Sequence, residues 1–214
     1  MIQDGMSTST DFTLRTLDQL VAHYEPPAER AVKKVVDRFD DHCRAYIAAS
    51  PFMLLGTFSE TNGADCSPRG DAPGWVTVAD DRTLLIPDRR GNNRIDSLRN
   101  IVEQPRVGLL FMIPGANETL RVNGRAHLSI YPELLQSFAV DEKQPKCVIV
   151  VTLVEAFIQC ARALVRSDLW NPEKHITRSE LPSMGSIMQT HTCGIVDGAA
   201  YDAEAPTLIP KTLY

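Results

Sequence analysis

The chain has 214 residues, of which 43% are hydrophobic, and its formal net charge is −5 at pH 7. Such a chain can bury a core without disulfides, its acidity argues against general nucleic-acid binding, and no run reaches the ~20 apolar residues of a membrane helix. The five cysteines are irregularly spaced and form no Cys-x-x-Cys pair, which excludes a disulfide framework and gives a metal site little support. We expect a cytoplasmic protein without membrane or nucleic-acid partners.

The sequence predicts a leader and then helices over the first 50 residues. Residues 1–11 are polar and indicate a disordered leader. Apolar residues at helical spacing then predict a short helix that ends near His23, before Pro26 and Pro27. From residue 29 to residue 49, a repeat of three and four predicts one amphipathic helix.

Short apolar runs separated by turn residues predict antiparallel β-structure from residue 52 onward. The predicted strands cover residues 52–58, 64–69, 75–78, 83–86, 107–113, 118–128 and 147–154. Helices are predicted at residues 93–103, 132–138, 157–165 and 183–190, and the rest of the tail is expected to be irregular. Strands this closely spaced favour a meander or a barrel.

One segment places three arginines and two asparagines around a predicted helix start. Its sequence is Asp88-Arg89-Arg90-Gly91-Asn92-Asn93-Arg94-Ile95-Asp96-Ser97-Leu98. Asn93 is the expected N-cap, with Asp96 approximating a capping box. A capped helix alone does not explain Arg94, a cation where the helix dipole disfavours one. We therefore expect a bound anion here, with the Ser97 hydroxyl added one turn on; a solvated turn is the alternative.

A second polar segment, Ser67-Pro68-Arg69-Gly70-Asp71, closes the strand predicted at residues 64–69. Arg69 offers another cation, and Gly70 would let a planar ligand approach the backbone. The alternative is a plain hairpin exit. We expect the two polar segments to lie on adjacent strands of one barrel and to form one site.

Other candidate residues have two interpretations each. Arg121 and Arg125 are expected to be solvated, or else to line the cleft or an interface. Trp170 either covers the core or, with Arg166, reaches a ligand across a dimer interface. No base is paired with Cys160, so no nucleophile is indicated, and the catalytic residues stay unknown.

The order of these motifs resembles the pyridoxamine 5′-phosphate oxidase-like family of FMN-binding split β-barrels. The resemblance covers about residues 28–172 and includes Gln-Pro-Arg-Val-Gly-Leu-Leu-Phe at 104–111 and Leu-Arg-Val-Asn-Gly-Arg-Ala at 120–126. Residues 160–170 are also similar to an uncharacterised bacterial subgroup. The resemblance implies a mainly β fold with flanking helices, a six-stranded antiparallel Greek-key split barrel. It implies a homodimer with FMN at the subunit interface.

This resemblance implies that the chain has three parts. Residues 1–27 would form a leader and short N-terminal helix, and residues 28–172 the FMN-binding split-barrel domain. Residues 173–214 would form a C-terminal helix and tail packed on that domain.

The resemblance also implies the cofactor-binding residues. The flavin or its ribityl chain would contact Ser67, Arg69, Gly70 and Asp71. The FMN phosphate would be held by Asn92, Asn93, Arg94 and Ser97. The isoalloxazine edge would meet Arg166 and Trp170 of the partner subunit. The pyridoxamine phosphate oxidases carry a Ser-Arg-Lys type run and a C-terminal Arg-x-His motif, and both are absent from this sequence. The resemblance therefore supports FMN binding by this chain better than it supports oxidation of pyridoxamine phosphate.

The leading expectation is an FMN-dependent oxidoreductase acting on an unidentified small molecule with an unidentified electron donor. Arginines near the flavin would stabilise its reduced, anionic form. One alternative is pyridoxamine phosphate oxidase itself, or a relative that uses deazaflavin or haem. Another is a flavin-binding or sensor module without turnover, and a last one is a barrel without cofactor.

Overall fold

The computed structural model describes residues 12–214, so the predicted leader at residues 1–11 lies outside the described part. The chain separates into two units, one ending at Val35 and the other running from Val36 to Tyr214. The first unit contains two short helices, and the second contains all the described strands and the remaining helices. The boundaries expected after residues 27 and 172 stay predictions.

Helix α1 (Leu17–His23) begins with a reciprocal cap. The Thr16 hydroxyl accepts the Gln19 N–H, and the Gln19 side chain accepts the Thr16 N–H. This exchange satisfies donors that a helix start otherwise leaves without partners. The predicted helix end near His23 is confirmed. Helix α2 (Glu29–Lys33) follows and has no side-chain cap.

The single helix predicted for residues 29–49 is wrong, because a long-range backbone pairing and a helix cap interrupt it. Val36 exchanges two backbone hydrogen bonds with Ala156, at 2.9 and 2.8 Å, and therefore takes an extended conformation. Helix α3 (Asp41–Ala49) begins only after Asp40, whose carboxylate accepts a backbone N–H of its first turn at 2.8 Å. The apolar repeat does mark helical residues at both ends of this stretch, but helix capping and the pairing of Val36 decide where each helix begins and ends.

Seven strands form one antiparallel sheet. They are β1 (Phe52–Ser59), β2 (Gly63–Gly70), β3 (Thr77–Val78), β4 (Thr83–Pro87), β5 (Arg106–Met112), β6 (Thr119–Ser129) and β7 (Val148–Gln159). Their order in the sheet is β2-β1-β5-β6-β7-β4-β3. The predicted antiparallel split-barrel class is confirmed, but the described residues contain seven strands rather than six, since the short β3 pairs with β4.

The sheet curls until its β2 end approaches β4. Four strands separate β2 from β4 in the pairing order. Nevertheless Asp71, directly after β2, contacts Arg89, just after β4, with 2.7 Å between the carboxylate Oδ2 and the guanidinium Nε. The expectation that the two polar segments lie on adjacent strands is therefore wrong. Barrel curvature, not strand pairing, brings them together.

The β6–β7 ladder contains a bulge at Asn123/Gly124. A Cβ on Gly124 would lie 2.6 Å from the Thr152 carbonyl oxygen, so the backbones approach too closely for any other residue. The bulge bends the two strands that form the middle of the barrel wall.

The remaining helices are α4 (Asp96–Glu103), α5 (Pro132–Ser137), α6 (Arg162–Ser167), α7 (Met184–His191) and α8 (Gly198–Lys211). The helix predicted for residues 157–165 is wrong in its first part, because β7 continues to Gln159, opposite Thr119. The irregular end predicted for the tail is also wrong, since Asp197 caps α8. No helix in residues 12–214 is long and apolar enough to cross a bilayer.

Alternate strand residues point into the barrel and form its core. The largest fully buried side chains are Phe111, Ile47, Met53, Leu55, Leu84, Ile86, Leu109, Leu120, Ile149, Val122, Val148 and Val151. The buried Trp75 satisfies its indole N–H by donating to the Ser50 carbonyl at 3.1 Å. This packed interior fixes the strand ends on which the polar segments lie.

Candidate functional site

A cleft of about 770 Å³ opens where the end of β2 approaches the loop between β4 and α4. It is lined by seven of the ten predicted site residues, namely Ser67, Arg69, Gly70, Asn92, Asn93, Arg94 and Ser97. Asp71, Arg166 and Trp170 do not line it. The structure therefore brings both polar segments of the sequence into one concave site.

The cleft is strongly cationic. Its lining includes the positive side chains of Arg69, Arg89, Arg90, Arg94 and Lys146. It includes only two carboxylates, those of Asp88 and Asp96. Such an excess of positive charge in a chain of net charge −5 is a site where a bound anion relieves mutual repulsion. The residues present fit an anionic ligand.

Arg69 carries a buried donor without a partner. Its Nε is enclosed and makes no hydrogen bond within the described residues, while its Nη1 donates to the Pro68 carbonyl at 3.0 Å. Pro68 is tolerated because β2 is an edge strand, where no neighbour needs its missing N–H. A buried unpaired N–H is costly, so Arg69 marks a place where a ligand acceptor is expected.

Asp88 is a titratable group of the cleft that the sequence did not single out. Its backbone N–H donates to the Cys147 carbonyl at 2.9 Å, which extends the pairing of β4 with β7. Burial raises the pKa of the Asp88 carboxyl, and the nearby charges of Arg69 and Lys146 offset this effect only in part. Its position directly after an apolar strand and beside Arg89 was the available signal.

The Asp65 carboxylate accepts hydrogen bonds from the hydroxyl groups of both predicted serines. Ser97 donates to it at 2.6 Å, Ser67 at 2.9 Å, and Thr57 at 3.4 Å. Burial acts to raise the pKa of Asp65, but these hydrogen bonds, that of Ser97 foremost, outweigh it and hold the pKa below its ordinary value. A phosphate would therefore accept a hydrogen bond from Ser97 only if the hydroxyl turned away from Asp65.

Helix α4 starts at Asp96, so the N-cap predicted at Asn93 is wrong. Asn93 and Ile95 both have left-handed backbone conformations, with φ of 59° and 55°, and no side chain caps the helix. Arg94 donates from Nε to the Asp96 carboxylate at 2.8 Å. This ion pair accounts for the charge of Arg94 that the dipole argument left unexplained. Lys146, which the sequence analysis missed, donates to Asn93 Oδ1 at 3.0 Å.

Asp71 supports the cleft from behind. Its carboxylate accepts hydrogen bonds from Arg89 Nε at 2.7 Å, the Tyr214 phenol at 2.6 Å and the Ala72 N–H at 2.8 Å. Arg89 also donates to the Phe138 carbonyl at 2.7 Å and lies 5.4 Å from the centre of the Tyr214 ring. Burial acts to raise the pKa of Asp71, but the hydrogen bonds from Tyr214, Ala72 and Arg89 outweigh it and keep the pKa low.

The other candidate residues lie elsewhere on the barrel. Trp170 donates from its indole to the Ala116 carbonyl at 2.7 Å, and Arg166 is exposed at the end of α6. Their expected contact with a partner's flavin stays a prediction. Arg121 lies over a phenylalanine ring, and Arg125 lines a separate groove. In residues 12–214 no group of three His, Cys, Asp or Glu side chains is placed to hold a metal ion.

Several solved structures are similar to this chain at low identity. HupZ of Group A Streptococcus is 16% identical, with a TM-score of 0.45 over 56% of this chain and 93% of that one. A general stress protein 26 relative from Clostridium acetobutylicum is 9% identical, with a TM-score of 0.41 over 55% and 85%. The FAD binding protein from Mycobacterium smegmatis is 11% identical, with a TM-score of 0.39 over 57% and 95%.

A family comparison covers the whole barrel. The family model described as pyridoxamine 5′-phosphate oxidase matches residues 39–160, which is more than half of the chain and spans every described strand. No curated protein matches the chain. The family match rests on the same stretch that supplies the curled sheet and both walls of the cationic cleft. The chain belongs to the pyridoxamine 5′-phosphate oxidase family.

Proposed function

We propose that the protein binds FMN in the cationic cleft and acts as an FMN-dependent oxidoreductase on a small molecule. The observation that carries the proposal is the convergence of five positive side chains from three separate segments of the chain on one cleft. Its volume of about 770 Å³ lies within the usual range of cofactor and ligand pockets. Membership of the family supports a flavin rather than another anion.

The loop between β4 and α4 would hold the phosphate. Arg90 and Lys146 line the cleft without a carboxylate partner within the described residues. Arg94 would share its guanidinium between the phosphate and Asp96. An arginine can bind a phosphate through two parallel hydrogen bonds, which a lysine cannot. The asparagines at 92 and 93 add neutral polar groups to the same wall.

The β2 side of the cleft would contact the flavin end. Bound FMN would supply the redox chemistry. Arg69 would donate its unpaired Nε–H to an acceptor, and its charge would stabilise an anion. Asp88 is the lining carboxyl whose pKa burial raises, and it would lie beside Arg69 and the flavin end of the cofactor. These roles need no nucleophile.

The assembly and location expected from the sequence belong to the same proposal. They are a cytoplasmic homodimer with FMN at the subunit interface, completed by Arg166 and Trp170 of the partner subunit, with a small-molecule substrate and an electron donor. The dimer is what the resemblance of the sequence to the family implies. Size-exclusion chromatography with light scattering of the flavin-loaded protein measures it directly, and a monomer would contradict it.

Quenching of FMN fluorescence by the purified chain tests cofactor binding. Replacing Arg94 by alanine removes a charged hydrogen bond to the phosphate. Because the side chain is 74% exposed, we expect a moderate loss of FMN affinity, about tenfold. Arg99→Ala, on the exposed side of the following helix α4, is the matched control and should bind like the wild type. Equal affinities of the two variants would contradict the phosphate assignment.

Stopped-flow reduction separates an enzyme from a binding module. The FMN-loaded protein is mixed with NADH, NADPH or a reduced deazaflavin, and the flavin absorbance is followed. Rapid bleaching by one donor, followed by reoxidation with a substrate, supports the oxidoreductase. A flavin that none of these donors reduces contradicts it and favours a sensor or carrier.

A further inference from the structure

The Asp65 carboxylate of β2 determines what two serines of the cationic cleft can offer to a ligand. Ser97 donates its hydroxyl to Asp65 at 2.6 Å and Ser67 donates at 2.9 Å, and both serines line the cleft. A serine hydroxyl has a single proton to donate but two lone pairs that accept. With that proton directed at Asp65, each serine presents only lone pairs to the cleft.

The hydrogen bond between Ser97 and Asp65 is strong enough to keep this direction. Its length of 2.6 Å is typical of a hydroxyl that donates to an ionised carboxylate. Ser97 is only 2% exposed, so water has little access to replace Asp65 as the acceptor. The positive charges of Arg69 and Arg94 act on Asp65 as well and favour its ionised form. An ionised carboxylate can only accept, so both hydroxyls stay directed at it.

A buried chain of hydrogen bonds ends at the same carboxylate. The amide oxygen of the fully buried Asn100 accepts from Ser59 at 2.9 Å and from Asn62 at 3.1 Å. Its amide nitrogen donates to the Thr57 hydroxyl at 3.1 Å, and Thr57 donates more weakly to Asp65 at 3.4 Å. Asp65 is therefore the last acceptor of the chain, and the buried side chains behind it fix the position of the carboxylate.

We propose that Asp65 is a positioning residue that makes Ser67 and Ser97 hydrogen-bond acceptors, so that this part of the cleft binds the hydroxyl groups of a polyol and not an anion. A phosphate dianion has only lone pairs and would face lone pairs at both serines, whereas a ligand hydroxyl can donate to them. The ribityl chain is the polyol of FMN, an identification that rests on the proposed function. The phosphate is then left to Arg90, Lys146 and the other cations of the cleft.

Titration with FMN, riboflavin and lumiflavin tests the proposal, since riboflavin lacks the phosphate and lumiflavin carries a methyl group in place of the ribityl chain. Ser97→Ala should weaken FMN and riboflavin by the same factor, about threefold, and leave lumiflavin unchanged. Asp65→Ala should weaken the uncharged riboflavin about threefold as well, because the serines lose their orientation, and again leave lumiflavin unchanged. Ser186→Ala, an exposed serine outside the cleft, is the matched control and should change none of the three affinities.

Three results would overturn the proposal. One is a loss of FMN affinity in Ser97→Ala without a loss for riboflavin, since the serine would then donate to the phosphate. Another is a riboflavin affinity that neither Ser97→Ala nor Asp65→Ala changes. The third is an equal loss for all three flavins in Asp65→Ala, which would mean that the carboxylate only supports the fold.

Proton NMR of the flavin-free protein tests the serine orientation independently of the proposed function. We expect a slowly exchanging hydroxyl resonance in the wild type and in Ser186→Ala that both Ser97→Ala and Asp65→Ala lose, and its absence from the wild type would overturn the orientation. If the resonance is present but no flavin binds, the proposed function fails and inorganic phosphate becomes the probe. Ser97→Ala should then bind phosphate like the wild type, and weaker binding would overturn the assignment of Ser97 as an acceptor.

Discussion

Replacing Asp71 by asparagine breaks the ion pair with Arg89, which joins the end of β2 to the loop after β4. The Asp71 and Arg89 side chains are only 7% and 16% exposed. One carboxylate oxygen accepts from Arg89, and the other accepts from Tyr214 and the Ala72 N–H. Asparagine has nearly the same shape as aspartate, but its NH₂ group would face Arg89 or else the Tyr214 and Ala72 donors, and two donors cannot form a hydrogen bond with each other.

The cost follows from these contacts. A hydrogen bond to a charged group contributes about 1.5–3 kcal/mol, and removing one partner of a fully buried pair costs about 3–5 kcal/mol. Arg89 retains the Phe138 carbonyl and some contact with water. We therefore expect Asp71→Asn to lower the free energy of unfolding by about 2–3 kcal/mol. Asp37→Asn is the control, since the Arg82–Asp37 pair has a 2.8 Å contact but is 57% and 60% exposed, and its loss should therefore cost clearly less.

Urea unfolding at several pH values measures the effect. The folded-state pKa of Asp71 is lowered from the ordinary 3.8, so its contribution is fully present above that value and is lost as the pH falls through the lower folded-state pKa. The difference between wild type and Asp71→Asn should therefore persist at pH 5. A loss no greater than that of Asp37→Asn, or a difference that vanishes by pH 5, would refute the reasoning.

Three further predictions concern single residues. Asp96→Asn removes the carboxylate that holds Arg94 at 2.8 Å, so the FMN affinity measured by fluorescence quenching should rise about fivefold. Gly124→Ala places a Cβ 2.6 Å from the Thr152 carbonyl oxygen, so the free energy of unfolding in urea should fall by about 2–3 kcal/mol. Burial raises the pKa of Cys147 to about 11, so its thiol should resist iodoacetamide at about pH 8 until the chain unfolds.

Each of these predictions has a control within the chain or an outcome that would contradict it. An unchanged or weaker FMN affinity of Asp96→Asn would show that Arg94 does not need release from that carboxylate. Gly91→Ala adds a methyl group in open space and should leave unfolding in urea almost unchanged. The exposed Cys66 should be alkylated in the native protein. Equal labelling of Cys66 and Cys147, measured by mass spectrometry, would contradict the burial argument.

The strands were predictable because their apolar patterns are local. The runs at residues 52–58 and 83–86 each became a strand within one or two residues. The run at residues 157–165 did not become one helix, since an apolar stretch fits either structure and pairing with distant Thr119 decided its beginning. The tail, predicted to be irregular, instead contains α8, which accommodates Pro206 and Pro210.

The site was predictable in its segments but not in its contacts. Clusters of arginine, asparagine and glycine revealed both walls of the cleft. Lys146 and Tyr214 lie far from both segments in sequence. Pairing of β7 with β4 brings Lys146 to the cleft, and the end of the tail brings Tyr214 to Asp71. Arg94 does line the cleft, as the helix-dipole argument predicted. That argument was incomplete, because Arg94 also pairs with Asp96, and this pair depends on where α4 starts.

Comparing FMN with riboflavin tests the central claim most directly, since the two differ only in the phosphate. If the cations of the cleft hold that phosphate, the wild-type protein should bind FMN at least about tenfold more tightly than riboflavin. The advantage should shrink as salt is added, because salt screens exposed charges. Equal affinities for the two flavins, or binding of neither, would contradict the account.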